Sequence, residues 1–77
     1  MITLIVLPSK KDVLQWYVER FGEPHPQFYL KAIKSDYSNN WHVIKMLKSQ
    51  RFWRSKYEYH WVVFNYEGKV LYDSSTS

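Results

Sequence analysis

A small α+β domain, with about four strands in one sheet and two helices in the order β-α-β-α-β-β, is the fold this sequence predicts. Three features carry that expectation. An apolar run opens the chain, an amphipathic stretch follows between a capping pair and a glycine, and two β-rich runs flank Glu67-Gly68 near the end. Its 77 residues make a single domain, 1–77. A domain of this size buries only roughly 60–65% of the surface that its unfolded chain exposes, so its core has to be built from large side chains. Four Trp, seven Tyr and four Phe supply them, and each can bury about 150–250 Å². With no cysteine in the chain, neither a disulfide nor a thiolate zinc site staples the fold, which fits a reducing compartment.

The elements follow in order. Ile2-Thr3-Leu4-Ile5-Val6-Leu7 lacks a basic lead-in, stops at Pro8 and is far too short to span a bilayer, so a buried strand is expected, central in the sheet because it is apolar on both faces. A cytoplasmic location without membrane contact goes with that reading. Ser9 and Asp12 form an approximate capping box, and from Lys10 the residues Val13, Leu14, Tyr17, Val18 and Phe21 share one helical face. Gly22 caps that helix and Pro24 stops it. Trp16 lies on the flank of the apolar face, one turn from Arg20, where a cation–π contact is expected. Phe28, Leu30 and Ala32 alternate with Tyr29 and Lys31, the pattern of a half-exposed strand, although a short helix starting at Pro26 fits the same residues. Ser35 to Asn40 is turn chemistry ending in a good N-cap. Val43, Ile44 and Leu47 then fall on one helical arc, which predicts a second helix from Trp41 to about Gln50. Last comes a hairpin: Tyr59 to Tyr66 and Lys69 to Asp73 around a two-residue Glu67-Gly68 turn. If Tyr66 pairs with Lys69, Val62 lies opposite Asp73, and Asp73 is a diagonal neighbour of His60 on the same face.

Charge is unevenly placed. Eleven Lys and Arg against seven Asp and Glu leave a small basic protein of net charge +4. Between Trp41 and Tyr57 lie Lys45, Lys48, Arg51, Arg54 and Lys56 without one carboxylate, interleaved with Phe52, Trp53 and Tyr57. Such a field attracts acidic protein surfaces or phosphate backbones. Aromatic and arginine side chains dominate protein-binding hot spots, and the same composition suits stacking of single-stranded bases.

Few enzymatic or metal chemistries are open to this chain. His25, His42 and His60 are seventeen and eighteen residues apart, with no metal-ligand spacing. Gly22 and Gly68 are the only glycines, so no phosphate-cradling loop is available, and no serine sits in a nucleophile elbow. No cofactor is expected. His60-Trp61 opening a hydrophobic strand, a short turn, and a strand ending Leu71-Tyr72-Asp73-Ser74 nevertheless resemble the histidine–aspartate hairpin of the SUMO-protease and adenovirus-endopeptidase group of cysteine proteases. The resemblance covers about fifteen of the 77 residues. It implies His60 as general base and Asp73 as the carboxylate that fixes its tautomer. It also requires a cysteine nucleophile on a later helix, with a glutamine shortly before it, and this chain has neither. At most it implies a relative without catalysis unless a partner supplies a nucleophile.

The functional expectation is therefore a non-enzymatic interaction module of the accessory or inhibitor type, in the style of small proteins that phages encode. It binds an acidic protein surface through Lys45, Lys48, Arg51, Phe52, Trp53, Arg54, Lys56 and Tyr57. Single-stranded nucleic-acid binding is the alternative, and a catalytically dead protease-like remnant acting as a partner subunit is the third.

Overall fold

The computed structural model describes residues 8–49 and 60–76 of the chain. They form one helix, α1 (Lys10–Phe21), followed by four strands, β1 (Phe28–Lys34), β2 (Trp41–Leu47), β3 (His60–Phe64) and β4 (Val70–Asp73). The strands make one antiparallel sheet in sequence order. The expected strand at Ile2–Leu7 lies outside the described residues. Among those described, no helix is long and apolar enough to cross a membrane.

Local chemistry sets α1. The Ser9 hydroxyl accepts the Asp12 N–H at 3.3 Å while the Asp12 carboxylate accepts the Ser9 N–H at 3.2 Å, a reciprocal capping box. At the other end the Gly22 N–H donates to the Val18 carbonyl at 2.8 Å with φ at +92°, which glycine adopts without a Cβ penalty. Val13 and Tyr17 are the fully enclosed positions, and they pack on Ala32, Trp41, Val43, Val62 and Phe64 from the sheet. Each large apolar side chain buried there contributes roughly 1.5–3 kcal/mol. The Trp41 indole N–H is the buried side-chain donor left without a partner among the described residues.

Phe28–Lys34 is a strand, with Leu30 and Ala32 toward α1 and Tyr29, Lys31 and Ile33 on the opposite face. The expected second helix at Trp41–Gln50 is overturned: Trp41–Leu47 is β2, paired with β1 on one side and β3 on the other, so the described residues hold one helix and not two. Val43, Ile44 and Leu47 do lie on one helical arc, but Trp41 and Val43 face α1 while His42, Ile44 and Met46 face away. A strand apolar on both faces hides its alternation. Its β-branched and aromatic residues suit a central strand whose backbone groups are paired on both edges. Asn40 caps no helix; its carbonyl accepts the Ser35 N–H at 2.9 Å and closes the β1–β2 connection.

The final hairpin forms, with a different turn from the one expected. Gly68 N–H donates to the Asn65 carbonyl at 3.0 Å, and Asn65 N–H to the Lys69 carbonyl at 2.9 Å, so the loop holds three residues, Tyr66 to Gly68. Only Gly68 needs positive φ, at +86°, as in a type I turn closed by a glycine bulge. The Asn65 side chain completes it by accepting the Glu67 and Lys69 N–H groups, each at 2.9 Å. Phe64 then pairs with Val70, but Val63 pairs with Tyr72, so Leu71 is an extra residue in β4. The two one-residue offsets cancel, and Val62 stands opposite Asp73 as the simpler turn also required.

Trp16 closes the core beneath this turn. Its ring packs on Phe64, 5.9 Å between centroids, and a Cβ on Gly68 would come within 3.3 Å of it. Arg20 lines the same shallow groove with Glu19 and Glu67, whereas the cation–ring contact among the described residues joins Lys45 to Phe28. Gly68→Ala meets both the positive φ and the indole. It is expected to lower unfolding stability by about 1–2 kcal/mol, measured by chemical denaturation, and an unchanged midpoint would contradict this turn.

Candidate functional site

The hairpin register brings together the pair that the sequence singled out. His60 Nε2 lies 2.7 Å from Asp73 Oδ1, and each side chain is 13% exposed. Both residues face α1, and this decides what completes the site. The Tyr17 hydroxyl reaches His60 Nδ1 at 2.6 Å across 43 residues of sequence. Asp73 Oδ1 also accepts the N–H and the hydroxyl of Ser75, at 2.9 and 2.8 Å. The edge of the His60 ring meets the Phe21 ring at 4.9 Å with an interplanar angle of 81°.

Proton placement follows from the partners. An ionised carboxylate only accepts, so His60 Nε2 carries the hydrogen it donates to Asp73; Nδ1 then offers a lone pair that accepts the Tyr17 O–H. The arrangement satisfies every polar group in the line. Burial pushes the Tyr17 phenol up to about 12, and the negative charge of Asp73 adds to the shift. For Asp73, burial acts to raise the carboxyl, but the hydrogen bonds from His60 and Ser75 and the attraction of His60 outweigh it and hold the group below its ordinary value.

Chemically, the trio is a closed relay. A general base needs a ring nitrogen open to the group it deprotonates, and here Nδ1 is held by Tyr17, itself only 2% exposed. Sequence reasoning placed Tyr17 in the core for its ring and missed its hydroxyl. The usable signal was a phenol on the buried face of a helix, because a buried Tyr O–H finds a partner.

Of the other sequence-predicted positions, Lys45 and Lys48 are among the described residues. Lys45 lies on the α1 side of β2, with Nζ 4.9 Å from the centroid of the Phe28 ring, and Lys48 is exposed in the turn after β2. Arg51, Phe52, Trp53, Arg54, Lys56 and Tyr57 lie outside the described residues. Among the described residues no group of three His, Asp or Glu side chains is placed to hold a metal ion.

A second constellation was not anticipated. On the sheet face away from α1, Tyr29, Lys31 and Ile33 of β1 stand beside His42, Ile44 and Met46 of β2, Trp61 and Val63 of β3 and Tyr72 of β4. Tyr29, Ile33 and Tyr72 are 39%, 42% and 38% exposed. The Trp61 indole N–H donates to His42 Nδ1 at 3.1 Å, and Tyr72 packs on Trp61 at 4.9 Å between ring centroids. Its strands contribute no carboxylate to this face. Comparison with protein-family models, curated proteins and solved structures finds no match to this chain, so the likeness of the hairpin to the protease group rests on its own residues.

The relay makes stability depend on pH at both ends of the scale. Asp73 is lowered in the folded state, so its contribution is present above its ordinary value of 3.8 and is lost as pH falls through the lower folded value. Tyr17 is raised from 10.0, so its contribution is present below pH 10 and is lost as pH climbs to about 12. Denaturation midpoints of Asp73→Asn are expected below wild type at neutral pH, the gap narrowing in acid. Tyr17→Phe is expected to flatten the alkaline loss, and an unaltered alkaline profile would mean that the phenol does not titrate as a buried group.

Proposed function

We propose that this protein is a non-enzymatic interaction module that docks on an acidic protein surface through the sheet face turned away from α1. One observation carries the reading: among the described residues that face exposes Tyr29 and Ile33 beside Lys31 on β1 and Tyr72 on β4, and its strands place no acidic side chain there. An antiparallel sheet with one solvated face ordinarily alternates apolar-in with polar-out. Here the outer positions of β2 and β3 are the half-buried His42, Ile44, Met46 and Trp61 around Val63, which is 8% exposed. Apolar and aromatic surface of this kind, accompanied by positive charge, is the composition of a protein-binding patch. The segment joining β2 to β3 adds Lys48, Arg51, Arg54 and Lys56 against the single acid Glu58, which strengthens the attraction for an acidic partner. Aliphatic Ile33, Ile44 and Met46 among the rings favour apolar protein side chains over stacked bases.

A second reading is a protease-like remnant acting as a partner subunit, favoured by the 2.7 Å contact of His60 with Asp73. It requires a thiol from the partner to displace Tyr17 from Nδ1, since that is the ring nitrogen left over by Asp73.

Titrating the isotope-labelled protein with an oligoglutamate peptide tests the docking face. Chemical-shift changes are expected at Tyr29, Lys31, Ile33, Trp61 and Tyr72, and Lys31→Glu is expected to weaken binding severalfold with stability within about 0.5 kcal/mol of wild type. Changes confined to α1 or to the β3–β4 turn would reject this face. Tight binding to oligothymidylate that collapses between about 50 and 200 mM salt would transfer the function to nucleic acid.

A further inference from the structure

We infer that His42 is the hydrogen-bond donor that gives this docking face its specificity, directed at a carboxylate of the partner, and that Trp61 is the residue that positions it. The inference rests on the docking reading above and adds its polar contact.

The chemistry starts from Trp61. An indole N–H is a donor only, and this one reaches His42 Nδ1 at 3.1 Å. The two rings are nearly parallel, inclined by only 18°, with centroids 5.8 Å apart, so the contact holds the imidazole against the indole. A ring nitrogen that accepts carries no hydrogen, so the neutral imidazole holds its proton on Nε2. Among the described residues His42 makes no other side-chain hydrogen bond, and Nε2–H is left as a donor. In isolation an imidazole would exchange between two tautomers; the indole selects one of them.

Placement makes that donor discriminating. His42 sits on a central strand, opposite Ile33 of β1 and Val63 of β3. Its direct cross-strand neighbours are therefore aliphatic, and a partner group seated there without an acceptor leaves a donor desolvated and unpaired, the costly case for any interface. Lys31 pairs with Ile44, so it is a diagonal neighbour of His42 on the same face, a separation of about 7–8 Å between such positions. One Asp or Glu carboxylate can accept from Nε2–H while Lys31 supplies the opposite charge. A phosphate offers similar oxygens, but the surrounding aliphatic positions suit a carboxylate on a protein with apolar neighbours of its own.

The test has one arm that needs no partner. Long-range proton–nitrogen spectra of the labelled full chain at neutral pH are expected to show His42 with a pyridine-type Nδ1 and a pyrrole-type Nε2. Trp61→Phe keeps the ring but removes the N–H, and is expected to return His42 to a mixture of tautomers. A His42 with its proton on Nδ1, or a tautomer unmoved by Trp61→Phe in a folded variant, overturns the positioning role. The second arm uses the oligoglutamate peptide. His42→Phe is expected to lose roughly tenfold in affinity, equivalent to about 1.4 kcal/mol, while His42→Gln, whose amide N–H lies near the Nε2 position, keeps most of it. Equal binding by wild type and His42→Phe keeps the docking face and overturns the donor. No binding of oligoglutamate by wild type overturns both, and oligothymidylate binding that depends on His42 reassigns the donor to phosphate and rejects the carboxylate.

Discussion

A single helix of twelve residues meets a sheet whose two central strands are apolar on both faces, and the rest of the molecule answers that mismatch. Val13 and Tyr17 cover Val43, Val62 and Phe64 on one side. Burying those side chains is the main driving force for the fold. The same strands present His42, Ile44, Trp61 and Val63 on the other side, where no described element packs. An ordinary small antiparallel sheet would have placed polar side chains at those positions. Those side chains gain nothing from α1, although Val63 among them is 8% exposed.

His60 is where the helix, the sheet and the hairpin end are joined. Its two nitrogens are shared between Tyr17 of α1 and Asp73 at the end of β4, and Phe21 closes over the ring. A buried polar line of this kind is worth having only when every member is satisfied, which the Ser75 contacts to Asp73 complete. A carboxylate orients the imidazole here, and the remaining ring nitrogen meets the buried phenol of Tyr17, which ties the helix to the sheet.

Charge is unevenly placed over the described strands. From β1 through β2 the positive residues Lys31, Lys34 and Lys45 face a single acid, Asp36, in the connecting turn. α1 carries Asp12 and Glu19 with Lys10, Lys11 and Arg20, and the β3–β4 hairpin carries Glu67 and Asp73 with Lys69. On the outward face of β1, exposed Tyr29 and Ile33 flank Lys31. At the centre of that face an indole and an imidazole on neighbouring strands are brought together by strand pairing.

By itself the sequence determined what depends on neighbours a few residues away. Ser9, Asp12 and Gly22 bounded α1 because caps act within one turn, and Gly68 marked the last turn because positive φ selects glycine, while the alternation of Phe28 to Lys34 fitted a strand and a short helix alike. The opposition of Val62 and Asp73 was legible too, although it arises from a three-residue loop and a bulge at Leu71 whose offsets cancel. Tertiary structure decided the rest. Trp41–Leu47 carries spacings compatible with a helix, and only pairing with β1 and β3 makes it a strand, since the free energy of a central strand lies in cross-strand contacts and not in its own residues. In the same way, the meeting of Tyr17 with His60 and of Trp61 with His42 depends on which sheet face α1 covers, and that choice is made by the whole core at once.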